Sequence, residues 1–159
     1  MNPSLKMYCE ARSSEFDMIS EERKTLLLQL SKFVSEQTKK TELLFVCTHN
    51  SRRSTFGQVW AKAAATYFNF NNIETYSGGT EVTAFHPNAI YALKGAGFEV
   101  ESENTKDNPK HVIGYVSGAS DSLCYSKTFD DEANPKENFA AIMTCDSADS
   151  NCPFIPGAA

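Results

Sequence analysis

Apolar positions change period along this chain, and the changes mark out its elements. Leu26, Leu27, Leu30, Phe33 and Val34 recur at helical spacing behind Ser20, a good N-cap, with Glu21 and Glu22 in the first turn. Lys39 and Lys40 lie near the exit, where positive charge suits the helix dipole. Residues 1–41 therefore read as a helical extension packed on the domain, with a partner-binding arm as the alternative. At Leu43-Leu44-Phe45-Val46-Cys47 the pattern turns into a continuous apolar run, as in a strand buried on both faces of a parallel sheet.

A polar loop, THNSRR, follows, and helical spacing resumes at Ser54 with Val59, Trp60, Ala63, Ala64 and Tyr67 on one side. Ile73 to Tyr76 reads as a short strand closed by a turn at Ser77-Gly78-Gly79. Pro87 suits the first turn of a helix through Ala89, Ile90, Leu93 and Lys94, ending at Gly95 or Gly97. HVIGYVS and SLCYSKTF, separated by GASD, predict a hairpin over 111–129. Phe139 to Met143 is a second buried strand, ending at Thr144-Cys145. Strand, loop and helix in this alternation predict one α/β domain with a mainly parallel sheet.

Composition narrows the class. The chain has 159 residues, 41% hydrophobic and 22% charged, which fits one globular domain. A net charge of −5 argues against nucleic acid as a partner, since phosphates need a basic surface. The longest apolar runs reach only about seven residues, against roughly 20 for a bilayer span, so no membrane association is expected. The N-terminus lacks a secretory pattern, which predicts a cytoplasmic protein with reduced thiols. Its five cysteines then read as catalytic, redox-active or buried rather than as a disulfide framework.

Cys47 stands out because it ends a parallel strand, where loops and helix N-termini gather ligands. Cys47-Thr48-His49-Asn50-Ser51-Arg52-Arg53-Ser54 contains Cys-x5-Arg followed by Ser. Successive N–H groups of such a loop, with a helix N-terminus behind them, cradle an anion and favour the thiolate form of a cysteine there. Arg53 can grip two oxygens of a tetrahedral oxyanion, and Ser54 can donate its hydroxyl to the sulfur. Thr48, His49, Asn50, Ser51, Arg52 and Arg53 are the candidate substrate-binding residues. No cofactor is called for.

This segment resembles the phosphate loop of the low-molecular-weight protein tyrosine phosphatases and of the thioredoxin-coupled arsenate reductases on that fold. Tyr76-Ser77-Gly78-Gly79-Thr80-Glu81 and His86-Pro87-Asn88-Ala89 resemble the turn and helix start that follow. The resemblance implies a four-stranded, mainly parallel sheet flanked by helices over residues 42–159, with an insertion at about 105–137. Cys145-x6-Cys152 after the last buried strand resembles the reductase branch, and implies catalytic roles for Cys47, Arg53, Ser54, Cys145 and Cys152. Arsenate would be taken by Cys47, and a disulfide would pass to Cys145 and Cys152 for reduction by thioredoxin. A zinc half-site is the competing reading of the cysteine pair, but His86 and His111 fall in unrelated segments, so no metal is expected.

Departures from the family pattern keep alternatives open. His49 stands where the family usually has Gly, and either orients Asn50 or substrate or points into solvent. Arg52 replaces a second loop cysteine and reads as a solvated cation or as added charge near the oxyanion. The family's general acid is an Asp usually followed by Pro, whereas the six prolines here follow Asn, His, Asn, Asn, Cys and Ile. The sequence stops at Ala159, before that loop would arrive, so the C-terminal part of that fold is expected to be absent from it, or the acid to come from elsewhere. Asp130, Asp131, Asp146 and Asp149 are candidates for the acid without a motif. Cys9 and Cys124 read as structural or incidental thiols. The alternatives to an arsenate reductase are a phosphotyrosine phosphatase working through a Cys47 thiophosphate, and a non-catalytic oxyanion-binding module.

Overall fold

The computed structural model describes all residues except 117, 118, 152 and 153. Two helices open the chain, α1 (Pro3–Ser13) and α2 (Glu21–Glu36). Asn2 caps α1 through its side chain, with Pro3 in the first turn, and Ser20 caps α2 by accepting from the Arg23 N–H. Leu5 of α1 is fully buried in the largest apolar cluster, beside Val59, Leu93, Phe98 and Tyr115. α2 contacts the domain less intimately. Leu30, Phe33 and Val34 pack on Leu43 and Phe45, while Leu26, Leu27 and Leu28 stay exposed.

The site-bearing layer is a parallel sheet of β1 (Thr41–Cys47), β2 (Ile73–Gly79) and β3 (Ala140–Met143), in the order β2-β1-β3. β1 is central, with both its edges paired, and both its faces are covered. Leu44 and Val46 join Phe139, Ala148 and Ile155 on one side, and Leu43 and Phe45 join Ala65 and Ile73 on the other. This explains the unbroken apolar run. The described residues give three parallel strands where four were expected. Single parallel bridges at Gly79–Thr128 and Phe139–Ala158 lie beside the outer strands without extending into a fourth.

The helix after β1, α3 (Arg53–Tyr67), starts one residue earlier than its apolar spacing suggests. Ala64 is exposed rather than packed, because the helix is covered on two sides. Val59 and Ala63 face the largest cluster, and Ala61 and Ala65 face the parallel sheet. β2 runs on through the expected turn at Ser77 to Gly79, pairing Gly79 with Cys47. α4 (Pro87–Gly95) follows, capped by the His86 ring, which accepts from the Asn88 N–H.

A second, antiparallel sheet holds β4 (Glu99–Ser102), β5 (His111–Val116) and β6 (Ala119–Cys124). The hairpin is tighter than expected, with β6 beginning inside GASD at Ala119, opposite Val116. Residues 117 and 118, within the expected hairpin, lie outside the described residues. No described helix is long and apolar enough to cross a membrane. A short helix, α5 (Asp146–Asn151), follows β3.

Candidate active site

Parallel pairing brings the carboxyl ends of β1, β2 and β3 to one edge, and the chemistry collects there. Cys47 closes β1, with its side chain buried at 3% exposure, and lines an open cleft of about 490 Å³. The other lining residues are His49, Ser51, Arg52, Arg53, Phe56 and Thr83. The cleft thus sets two guanidinium groups near one thiol on a chain whose net charge is −5. The first N–H groups of α3 have no acceptor within the helix, so their partial positive charge faces the same edge.

Ser54 Oγ lies 3.0 Å from Cys47 Sγ. Asn50 Nδ2 donates to the same Ser54 oxygen at 2.9 Å, which leaves the serine's own hydrogen for the sulfur. Asn50 is fully buried and adopts φ 45°, the left-handed region that Asn tolerates better than most side chains. The strained residue of the loop is therefore Asn50, one position after the His that replaces the expected glycine. Its Oδ1 accepts from the Lys127 N–H at 2.9 Å, fastening the loop to the segment after β6.

Every carbonyl of the loop is engaged. The Thr48 oxygen accepts from the N–H groups of Thr80 and Glu81, and the His49 oxygen from the hydroxyls of Thr83 and Ser126. The Asn50 oxygen accepts from the Thr55 hydroxyl, and the Ser51 oxygen from the His86 N–H. Gly79 makes the approach possible, since a Cβ there would stand 2.6 Å from the Thr48 oxygen and 2.8 Å from the Asn50 nitrogen.

The structure brings most of the expected residues together and separates a few. His49, Ser51, Arg52 and Arg53 line the cleft with Cys47, whereas Asn50 and Thr48 sit behind it. Cys145 follows β3 and lies 3.7 Å from Thr48 Oγ1, one residue along from Cys47. Partial burial pushes its thiol up, but hydrogen bonding from Ala148 and Thr48 and the charge of Arg53 outweigh this and hold it below the ordinary value. Cys152 lies outside the described residues. Asp146 and Asp149 flank Cys145 in a separate polar recess with Arg23. Asp131 is spent on Tyr125 and the Ala133 N–H, and the Asp130 carbonyl accepts from Lys136. Burial raises the thiols of Cys9 and Cys124, the latter to about 12.

Phe56, Thr83 and Glu81 were not legible as site residues. Glu81 Oε1 lies 2.9 Å from His49 Nε2, on the rim. Glu81 closes the Tyr76–Glu81 segment that resembles the family's turn, and both Glu81 and Thr83 follow a strand parallel to β1 and so emerge at its carboxyl edge.

A buried thiol beneath two arginines, on an α/β domain with a parallel sheet, defines the class of site. No family model matches the chain. An arsenate reductase of Staphylococcus aureus (strain Newman) is 28% identical over 119 residues, 75% of this chain and 70% of the relative. Arsenate reductase 2 of Staphylococcus haemolyticus is 26% identical over 118 residues, 74% of this chain and 70% of the relative. Arsenate reductase 2 of Staphylococcus epidermidis is 25% identical over the same length. The chain thus has bacterial arsenate reductases among its relatives, as its motifs implied, and stands among enzymes.

Proposed function

We propose that this protein is an arsenate reductase working through Cys47, Cys145 and Cys152, with thioredoxin as the reductant. The observation that carries the reading is the pairing of two thiols at neighbouring strand ends, Cys47 bonded to Ser54 and Cys145 to Thr48. The relatives' names support arsenate as the substrate.

Arsenate enters the cleft between Arg52, Arg53 and the first turn of α3. Cys47 Sγ attacks arsenic, an S–As bond forms, and the As–O bond breaks with the oxygen leaving as water once it takes a proton. The Cys145 thiolate then attacks Cys47 Sγ. An S–S bond forms, the S–As bond breaks, and its electron pair carries arsenic from the pentavalent to the trivalent state, released as arsenite. Cys152 attacks Cys145 Sγ and frees Cys47 as a thiolate. The dithiol of thioredoxin reduces the remaining disulfide. The lowered thiol of Cys145 suits its step, which needs a thiolate at neutral pH.

The test is arsenate-dependent NADPH oxidation with thioredoxin and thioredoxin reductase. Turnover is expected for the native protein and none for Cys47→Ser, while Cys145→Ser should stop at the arsenic adduct. A Cys145→Ser variant that turns over normally, or a native protein inert to arsenate, would overturn the reading. Phe56 supports a second reading, since an aromatic wall in a cleft of about 490 Å³ suits the ring of phosphotyrosine. Hydrolysis of a phosphotyrosine peptide, unaffected by Cys145→Ser, would favour that phosphatase.

A further inference from the structure

We infer that Arg52 is the residue that fits this cleft to doubly charged oxyanions, gripping a second pair of oxygens beside Arg53 and so favouring dianions over monoanions of the same shape. The inference rests on the reading of the cleft as an oxyanion site and names the charge class that site takes. It does not depend on what Cys47 then does to the anion.

Two arginines in succession line the cleft with Cys47. A guanidinium keeps its charge in proteins, so the pair brings two full positive charges to one place. Neighbouring like charges repel, and a shared anion relieves that repulsion. Their positions differ. Arg53 is the first residue of α3, and its charge reaches Cys145, whose thiol it helps to lower. Arg52 stands just before the helix, and its carbonyl accepts the Phe56 N–H. Among the described residues Arg52 forms no ion pair, on a chain with 20 acidic against 15 basic residues. The carboxylate at the rim, Glu81, lies 2.9 Å from His49 Nε2.

The backbone that carries Arg52 is held on both sides. Ser51 before it donates its hydroxyl to the Ala84 carbonyl at 2.6 Å, and the Ser51 carbonyl accepts from the His86 N–H. Ser54, two residues on, is fully buried beside Cys47. Closing Arg52 on an anion therefore costs side-chain ordering alone, without movement of the loop. A tetrahedral oxyanion presents more than one pair of oxygens, so a second planar fork can engage while Arg53 holds the first. The attraction scales with the product of the charges, and a dianion gains from Arg52 about twice what a monoanion of the same shape gains. Arg52 thus selects by charge, and arsenate and phosphate dianions profit alike.

The test uses sulfate and perchlorate, tetrahedral anions of different charge, and reads affinity from the rise in unfolding midpoint with anion concentration at constant ionic strength. Comparing variants at each anion cancels the anions' general effects on the chain. Native protein should bind sulfate more tightly. Arg52→Gln should weaken sulfate about tenfold and perchlorate about threefold, the square root expected for half the charge. Arg52→Lys keeps the charge and loses the fork, so it should weaken sulfate about threefold with the preference retained, and it decides the matter if Arg52→Gln fails to fold. Lys106→Gln removes the same charge from an exposed segment and controls for net charge. The inference is overturned if the Arg52 variants bind sulfate as the native protein does, if Arg52→Gln weakens both anions by one factor, or if Lys106→Gln matches it. A protein inert to arsenate that shows the expected binding would remove the reductase reading and leave this inference standing. Arsenate turnover with sulfate binding indifferent to Arg52 would do the reverse.

Discussion

The Ser54 hydroxyl stands 3.0 Å from the Cys47 sulfur while Asn50 occupies a lone pair of the same oxygen. The arrangement fixes the direction of the serine's hydrogen. Replacing Ser54 by Ala removes the hydroxyl from the attacking sulfur, a bond worth about 1.5–3 kcal/mol in a step where that sulfur reacts as a thiolate, so turnover should fall roughly 10–100-fold. Asn50→Asp should act in the same direction, because the carboxylate cannot donate to Ser54. The double variant should lose little more than the worse single one, as expected of groups acting in series. Steady-state rates of the three proteins check this.

Gly79 admits no side chain. An added Cβ would meet the Thr48 oxygen at 2.6 Å, so β2 or the loop must move apart. Gly79→Ala should cost about 1–3 kcal/mol of stability and a larger fraction of activity, since the displaced backbone is the loop itself. Thermal denaturation and turnover measured together distinguish this from a general loss of folding. Gly95 provides the control, because a Cβ there meets nothing within 4 Å.

Cys145 should be alkylated more readily than Cys9. Its pKa lies below the ordinary value, whereas burial, reinforced by Glu10, raises that of Cys9. The thiolate is the reactive form, so alkylation of Cys145 should rise with pH at lower values than that of Cys9. Thr48→Val removes the hydroxyl bond to Cys145 and should move its rise upward. Peptide mass spectrometry after timed iodoacetamide treatment reads both sites at once.

The N-terminal helix belongs to the folded core. Leu5 is fully buried among residues of α3, α4 and the antiparallel sheet. Leu5→Ala should destabilise the whole protein by about 2–5 kcal/mol, measured by denaturant unfolding. Leu28→Ala, on the exposed side of α2, should cost less than about 0.5 kcal/mol.

What the sequence made legible was the local grammar. The run Leu43–Cys47, the Ser20 cap and Pro87 each predicted the element found, because each depends on residues close in the chain. α1 was less visible, although Asn2-Pro3 carries its start, since its mean apolar content is low and one residue, Leu5, supplies its buried anchor. The continuation of β2 through Ser77-Gly78-Gly79 ran against turn propensity. Pairing with β1 overrode it, and no window along one strand could reveal that. At the site, the Cys-x5-Arg loop was readable as a unit. The bonds by which Thr80, Glu81, Thr83, His86, Ser126 and Lys127 hold it were not, because these residues arrive from distant segments.

Those partners have a thermodynamic meaning. With the carbonyls of Thr48, His49, Asn50 and Ser51 all bonded outward, the loop's amide dipoles are set before an anion arrives. The reorganisation that water or a mobile loop would undergo at each turnover is completed once, during folding. The readiness of the cleft for an anion is therefore stored as the cooperativity of the native state, and variants that loosen the fastening residues should weaken anion capture before they unfold the protein.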